Sequence, residues 1–383
     1  MSEKHLFETK AVRGASGGDE RTGAISFPIY QTATFKHLGL NRSTGYDYSR
    51  LQNPTVEELE KTVANLEGGK EGLAFSTGLG AITCSIHLFK AGDHVIVSED
   101  LYGGTFRLFS EIYHELGIEA TFVDTRDLKA IESAVKESTK AIYIETPSNP
   151  SMRVTDIRGV SAIAKKNDLL LIVDNTFLTP YYQKPLELGA DLVVHSGTKY
   201  LGGHNDLLAG FLVANDEKVI QRLRFIQKST GATLGAFEAW LVLRGIKTLH
   251  IRLDRGQENA IVIAKWLKQQ DEIEDVYYVG LEDGDGYEIN KSQSSGFGTT
   301  LSFRVKDKNL VEQILNNVKV VSFAESLGGV DTLITYPFTQ THAEVPEELK
   351  IRLGVDEYLL RLSVGIENVQ DLIQDLERAI KGA

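Results

Sequence analysis

The chain has 383 residues, 42% hydrophobic and 25% charged, with a formal net charge of −12. Its length points to two domains rather than one small core, and an acidic balance without a long basic run argues against nucleic acid or an anionic membrane surface as partner. The single cysteine, Cys84, excludes an intramolecular disulfide; within the apolar stretch AITCSIHLF it reads as a buried small hydrophobe in a reducing compartment.

The N-terminal MSEKHLFETK is charged and lacks the apolar centre of a signal peptide. No apolar run approaches the roughly 20 residues of a membrane span, so a soluble, cytoplasmic protein is expected. Residues 1–60 carry scattered glycines and few periodic apolar positions. Such a segment cannot bury itself, and it is expected to pack on the rest of the protein or on another subunit. From residue 61 the pattern changes to short apolar runs: GLAFS (72–76), HVIVS (94–98), ATFVD (120–124), AIYIE (141–145), LLLIVD (169–174), LVVHS (192–196) and GFLVA (210–214). Between them lie amphipathic segments of helical length at 78–90, 103–117, 127–137 and 157–167. Strands apolar throughout, alternating with helices, imply a mainly parallel sheet covered on both faces. Beyond residue 246 the order differs. A helix at 253–270 precedes GTTLSFRV (298–305), a helix at 308–317, VVSF (320–323), LLRLSV (359–364) and a terminal helix at 368–381, which suggests a smaller α+β domain with an antiparallel sheet.

In such a sheet, ligands bind at the carboxyl ends of the strands. GLAFS runs into STGLGA, where Thr83 stands in place of the third glycine of a dinucleotide fingerprint; a helix N-terminus there suits a phosphate instead. LLLIVD closes on Asp174, a carboxylate costly to bury without a cationic partner. LVVHS is followed by Lys199, with hydroxyls at Ser196 and Thr198 and glycines after it. The acidic loop LEDGDGYE (281–288) lacks the closing glutamate of a calcium loop and reads as a surface turn, so no metal site is expected. A lysine for an aldehyde, an aspartate for a pyridine nitrogen, and hydroxyls with a helix N-terminus for a phosphate are the parts that pyridoxal phosphate (PLP) requires.

DLVVHSGTKYLGGHND, IVDNTF, STGLGA, LYGGT, YSRLQNPT, ETPSNP, ESLGG and RLSVGIE resemble, over nearly the whole chain, the Cys/Met-metabolism family of PLP enzymes. That family includes the cystathionine γ-synthases, γ-lyases and β-lyases and the methionine γ-lyases. The resemblance implies fold type I of the PLP-dependent transferases, an α/β fold: an intersubunit arm over 1–60, a large mainly parallel-sheet cofactor domain over 61–246 and a smaller C-terminal α+β domain over 247–383. It implies that Lys199 anchors the cofactor covalently, that Asp174 pairs with the ring nitrogen, and that Ser76, Gly78, Leu79, Ser196 and Thr198 surround the phosphate. Tyr102 would stack on the ring and act as acid or base. Tyr48 and Arg50 would reach a neighbouring subunit's phosphate, making the active form a homo-oligomer, a tetramer built from dimers. Arg361 would bind the substrate α-carboxylate, Asn149 would lie near the cofactor ring oxygen and that carboxylate, Ser326 would contact the cofactor-lysine region or the carboxylate, and Glu325 would receive the distal ammonium of cystathionine.

The implied activity is carbon–sulfur chemistry at the γ-carbon of cystathionine or an activated homoserine, as a γ-lyase or γ-synthase. β-Cleavage of cystathionine and γ-cleavage of methionine are alternatives. Methionine γ-lyases typically carry a cysteine two residues after the stacking tyrosine, where this chain has Gly104. A PLP aminotransferase and a non-enzymatic protein that kept the fold are remoter readings.

Overall fold

A computed structural model describes residues 5–382; the first four residues of the charged N-terminus and the last residue lie outside the described residues. Among those residues there are twelve strands: β1 Glu71–Phe75, β2 His94–Ser98, β3 Glu119–Val123, β4 Thr139–Glu145, β5 Leu170–Asp174, β6 Leu192–Ser196, β7 Gly210–Ala214, β8 Ile273–Tyr277, β9 Thr300–Val305, β10 Ser322–Phe323, β11 Leu333–Thr335 and β12 Leu359–Ser363. The chain divides into two compact units. The first holds the residues up to Leu88 together with Asp191–His250; the second holds Phe89–Ala190 and the residues from Ile251 onward.

In the first unit β1, β7 and β6 lie side by side in that order, and both pairs are antiparallel. Leu73, Phe75, Val193, Phe211 and Val213 are fully buried, as expected of strands covered on both faces. The helix Pro54–Glu67 begins inside the stretch that reads as irregular. Asn53 caps it by accepting from the Thr55 N–H, Pro54 occupies its first turn, and Gly68 ends it in the left-handed region at φ 73°. A short helix, Phe7–Arg13, precedes it. Between these helices the chain forms bends and isolated bridges and leaves Ile25 79% and Leu40 91% exposed, so this segment buries little of its own apolar surface. Cys84 is buried, and burial pushes its thiol up to about 12, which fits its reading as an inert small hydrophobe.

In the second unit β5, β4, β2 and β3 follow in that order, all parallel, with Glu145 at the end of β4 in register with Asp174 at the end of β5. The helix Ile157–Lys166 packs Ile157, Val160 and Ile163 into a core with Ile142, Ile144, Leu171 and Val173. The expected helix over 103–117 is interrupted. It runs as Gly103–Arg107, then a π-helical turn Leu108–Ile112, then Tyr113–Glu115. The same unit holds a second sheet in the order β10-β11-β12-β9-β8, antiparallel except for the β10–β11 pair. The helix Val369–Lys381 covers it by burying Leu372, Leu376 and Ile380 against a core that includes Leu301, Phe303 and Leu362. This is the antiparallel α+β element expected of the C-terminal residues. Its strands β8 and β11 escape the sequence pattern because IEDVY carries three acidic or half-exposed positions and LIT is only three residues long. No helix among the described residues is long and apolar enough to cross a membrane.

Candidate active site

In the first unit the carboxyl end of β1 leads into the helix Gly78–Ile86, capped by Thr77, whose hydroxyl accepts from the Gly80 N–H at 2.9 Å. Gly78 is buried against Ser196 at the end of β6. A methyl group on Gly78 would stand 2.9 Å from both Cβ and Oγ of Ser196, closer than real contacts allow. Only glycine lets the helix N-terminus and the Ser196 hydroxyl approach this closely. After β6 the chain turns tightly: the Lys199 N–H donates to the Ser196 carbonyl at 3.2 Å, and the Gly203 N–H donates to the Lys199 carbonyl at 2.7 Å. Thr198 exchanges hydrogen bonds with the backbone of Ala209, donating from Oγ1 at 3.2 Å and accepting at 3.0 Å. Ser196, Thr198 and Lys199 are all half-buried, so the lysine is not a solvated surface cation. Ser76 is exposed and Leu79 half-buried.

Beneath this turn, His195 and Glu67 form a pair buried to 1% and 0% exposure, with Nε2 of His195 2.5 Å from Oε1 of Glu67. Tyr48 and Arg50 are exposed and stacked, the guanidinium carbon 5.6 Å from the ring centroid. Arg50 Nη1 also donates to the Lys228 carbonyl at 2.6 Å.

The second unit gathers buried charge. Asp174 accepts from the N–H and Oγ1 of Thr176 at 3.0 and 2.6 Å, and from the Tyr143 hydroxyl at 3.4 Å. Burial, then the negative charge of Asp174, pushes the Tyr143 phenol and the Glu145 carboxyl well above their ordinary values. Asp100 is buried too, takes the Ser148 hydroxyl, and is raised mainly by burial.

Tyr102, 39% exposed, sits where two of these side chains hold the chain. Glu145 accepts the Tyr102 N–H at 3.0 Å, and Nε2 of His342 lies 3.2 Å from the Leu101 carbonyl, the donor–acceptor geometry of an imidazole N–H. A methyl group on Gly103 would come within 2.3 Å of the Thr341 carbonyl, so that turn also needs its glycine. Burial, then the Arg361 charge, lowers His342 to about 4, which keeps it neutral near neutral pH.

Arg361 lies at the centre of β12 and is 1% exposed. Its Nη1 donates to Oδ1 of Asn149 at 2.8 Å; its Nη2 donates to the Ser326 carbonyl at 2.8 Å and to Oγ1 of Thr335 at 3.2 Å. Ser326 adopts φ 98°, a backbone conformation rare for a residue with a side chain, and presents its carbonyl to the guanidinium. Glu325 is exposed. Asn149, Ser326 and Arg361 are thus brought together, whereas Glu325 has no ion pair among the described residues.

The side chains the sequence reading passed over are Glu145, Asp100, Tyr143, Thr335 and His342. Glu145 had a usable signal. It closes the apolar run AIYIE as Asp174 closes LLLIVD, and a carboxylate ending a buried strand at its carboxyl end marks a site in both cases. His342 and Thr335 had none, since their partners lie far away in sequence.

In each unit the donors fit a part of PLP. The cradle at Gly78, which a single methyl group would fill, together with the Ser196 hydroxyl, suits a phosphate, and the buried Asp174 suits a protonated ring nitrogen.

The chain matches the family model of Cys/Met metabolism PLP-dependent enzymes over residues 8–381, and it belongs to that family. It is 46% identical over 98% of its length to a cystathionine γ-lyase of Bacillus subtilis, covering 99% of that protein. It is 48% identical to a cystathionine β-lyase of Lactococcus lactis, with 98% of each chain covered. A solved cystathionine γ-synthase of Xanthomonas oryzae, in complex with aminoacrylate and cysteine, superposes with a TM-score of 0.96 at 39% identity, covering 99% of this chain and 98% of that one. The protein is therefore a PLP-dependent enzyme of α/β fold.

Proposed function

We propose that the protein breaks or exchanges the carbon–sulfur bond at the γ-carbon of cystathionine or an activated homoserine, as a cystathionine γ-lyase or γ-synthase. One observation carries the reading: a fully buried Arg361 whose guanidinium is fixed from Asn149, Ser326 and Thr335. An arginine so held is a preorganised fork for the α-carboxylate of an amino acid, and it fixes the direction from which the substrate presents its other end. Family membership and the three related activities named above support the carbon–sulfur class.

In this reading Lys199 would hold the cofactor through its aldehyde, Asp174 would pair with its ring nitrogen, and Ser76, Gly78, Leu79, Ser196 and Thr198 would take its phosphate. PLP supplies an electron sink for charge developing at the substrate α-carbon. The Lys199 amine would take the substrate α-proton and carry a β-proton for γ-chemistry. Tyr102 shields one face and exchanges a proton with the amine or leaving group. Glu325 meets the distal ammonium of cystathionine. Tyr48 and Arg50 complete the phosphate site of a second copy, so the active form is a homo-oligomer, a tetramer of paired subunits, in the cytoplasm. The arm at 1–60, the cofactor domain at 61–246 and the C-terminal domain at 247–383 are the functional divisions of the chain.

β-Cleavage is the second reading, favoured by the Lactococcus relative. Product analysis separates them. Cystathionine giving cysteine and 2-oxobutyrate indicates a γ-lyase; homocysteine and pyruvate indicate a β-lyase; cystathionine formed from an O-acyl-homoserine and cysteine indicates a synthase. An amino-group acceptor required for turnover would exclude the whole class in favour of transamination.

A further inference from the structure

Outside the residues assigned to PLP and substrate, the first unit holds a cleft of about 250 Å³ between the helices Phe7–Arg13, Pro54–Glu67 and Ala236–Ile246. Its charged lining consists of Arg13, Arg244, Lys247 and Glu58, and Phe27 and Trp240 add aromatic wall. The one carboxylate is already committed, because Oε1 of Glu58 accepts the backbone N–H groups of Ala15 and Ser16 at 2.9 and 3.0 Å. Among the described residues neither Arg13 nor Arg244 forms an ion pair, and Lys247 gives its ammonium to the Val12 carbonyl at 2.5 Å. Three cationic residues thus line the cleft with one carboxylate, in a chain whose net charge is −12. Convergent like charges are unfavourable unless something anionic sits among them. Burial, then the neighbouring Arg13 charge, lowers the Lys247 amine from its ordinary value.

We infer that this cleft binds a small oxyanion, a carboxylate or a phosphate, held by the guanidinium groups of Arg13 and Arg244 and the ammonium of Lys247. The volume is below that of a site for a large organic ligand and ample for a small metabolite anion. Guanidinium forks provide the parallel donors that both oxyanions accept. The cleft uses none of the residues assigned to PLP or substrate, although Arg13 and Phe27 belong to the arm at 1–60.

Trp240 makes the inference testable without an activity assay. The chain has two tryptophans, so in the PLP-loaded Trp266→Phe variant Trp240 is the single reporter. That variant is titrated with inorganic phosphate and with succinate at constant ionic strength, with chloride as control, while the visible absorbance of bound PLP is followed in parallel. The expected result is a saturable change in Trp240 fluorescence with at least one oxyanion, no change with chloride, and steady PLP absorbance. Response to phosphate alone, or to succinate alone, assigns the anion. Arg244→Gln, on an exposed side chain, should weaken binding by about 10-fold, and Lys247→Gln by a similar factor. The inference fails if no saturable change occurs, if both variants bind as tightly as the parent, or if the signal tracks loss of PLP.

Discussion

The Lys199 turn of the first unit and the Arg361 cluster of the second are built on opposite principles. Around Lys199 the side chains are half-buried and the geometry comes from backbone: a capped helix N-terminus, a glycine pressed on Ser196, and a turn closed by its own N–H groups. Around Arg361 and Asp174 the groups are buried charges held by side-chain hydrogen bonds: Arg361 by acceptors distant in sequence, Asp174 by the nearby Thr176. The first arrangement suits a cofactor that brings its own charge and needs shape. The second suits charge that must be held in place: Asp174 for a ring nitrogen, and Arg361 for a substrate carboxylate oriented before any bond breaks. Steric substitutions should therefore damage the first region, and loss of a single polar atom the second.

Short of the reactive lysine itself, the largest effect is expected at Arg361. Arg361→Ala removes three hydrogen bonds from a buried charged group; kcat/KM for cystathionine should fall on the order of 100-fold, about 3 kcal/mol, mainly through KM. A change confined to kcat would break the comparison, since orientation by a ground-state contact would then not be its role.

His342 tests the electrostatics of the second region. Its imidazole titrates near 6.5 in the unfolded chain and at about 4 in the folded one, so the unfolded state binds a proton the native state refuses. The stabilisation is fully present above pH 6.5 and is lost as pH falls toward 4, amounting to roughly 3 kcal/mol across the window. Urea unfolding at pH 7 and pH 4.5 should show this slope, and His342→Gln should flatten it.

Gly78→Ala tests the first region. The added methyl must displace Ser196, which should cost about 1–3 kcal/mol of stability and weaken PLP retention, read by visible absorbance after dialysis. Normal retention would mean that the close approach of helix and β6 is incidental to the phosphate.

The smallest effect separates hydrogen bond from charge at Glu145. Glu145→Gln keeps an acceptor for the Tyr102 N–H and should stay within about 1 kcal/mol of the parent in stability, whereas Glu145→Ala leaves that N–H unmet and should cost about 1–3 kcal/mol. Equal losses in both variants would show that the carboxylate charge, rather than the bond to Tyr102, matters.

The parts legible in the sequence were those written locally. Lys199, Asp174 and Gly78 stand at strand ends, where an apolar run gives way to one polar or glycine residue, and the seven apolar runs between residues 72 and 214 correspond to β1 through β7. Arg361 was reached through a family-like motif, because an arginine inside an apolar strand carries no local sign of its partners. The rest depends on contacts between distant segments. His342 meets Leu101 across 241 positions and Arg361 meets Asn149 across 212, distances over which periodicity is silent. The helix Pro54–Glu67 was partly hidden because its cap and proline start lie in a stretch judged by glycine content rather than by capping signals.

The central claim is that Lys199 is the reactive amine. Lys199→Ala, purified, supplied with PLP and incubated with L-cystathionine, should lose carbon–sulfur cleavage by at least about 10³-fold while keeping the parent's thermal melting profile. Cleavage at the parent rate would contradict the account.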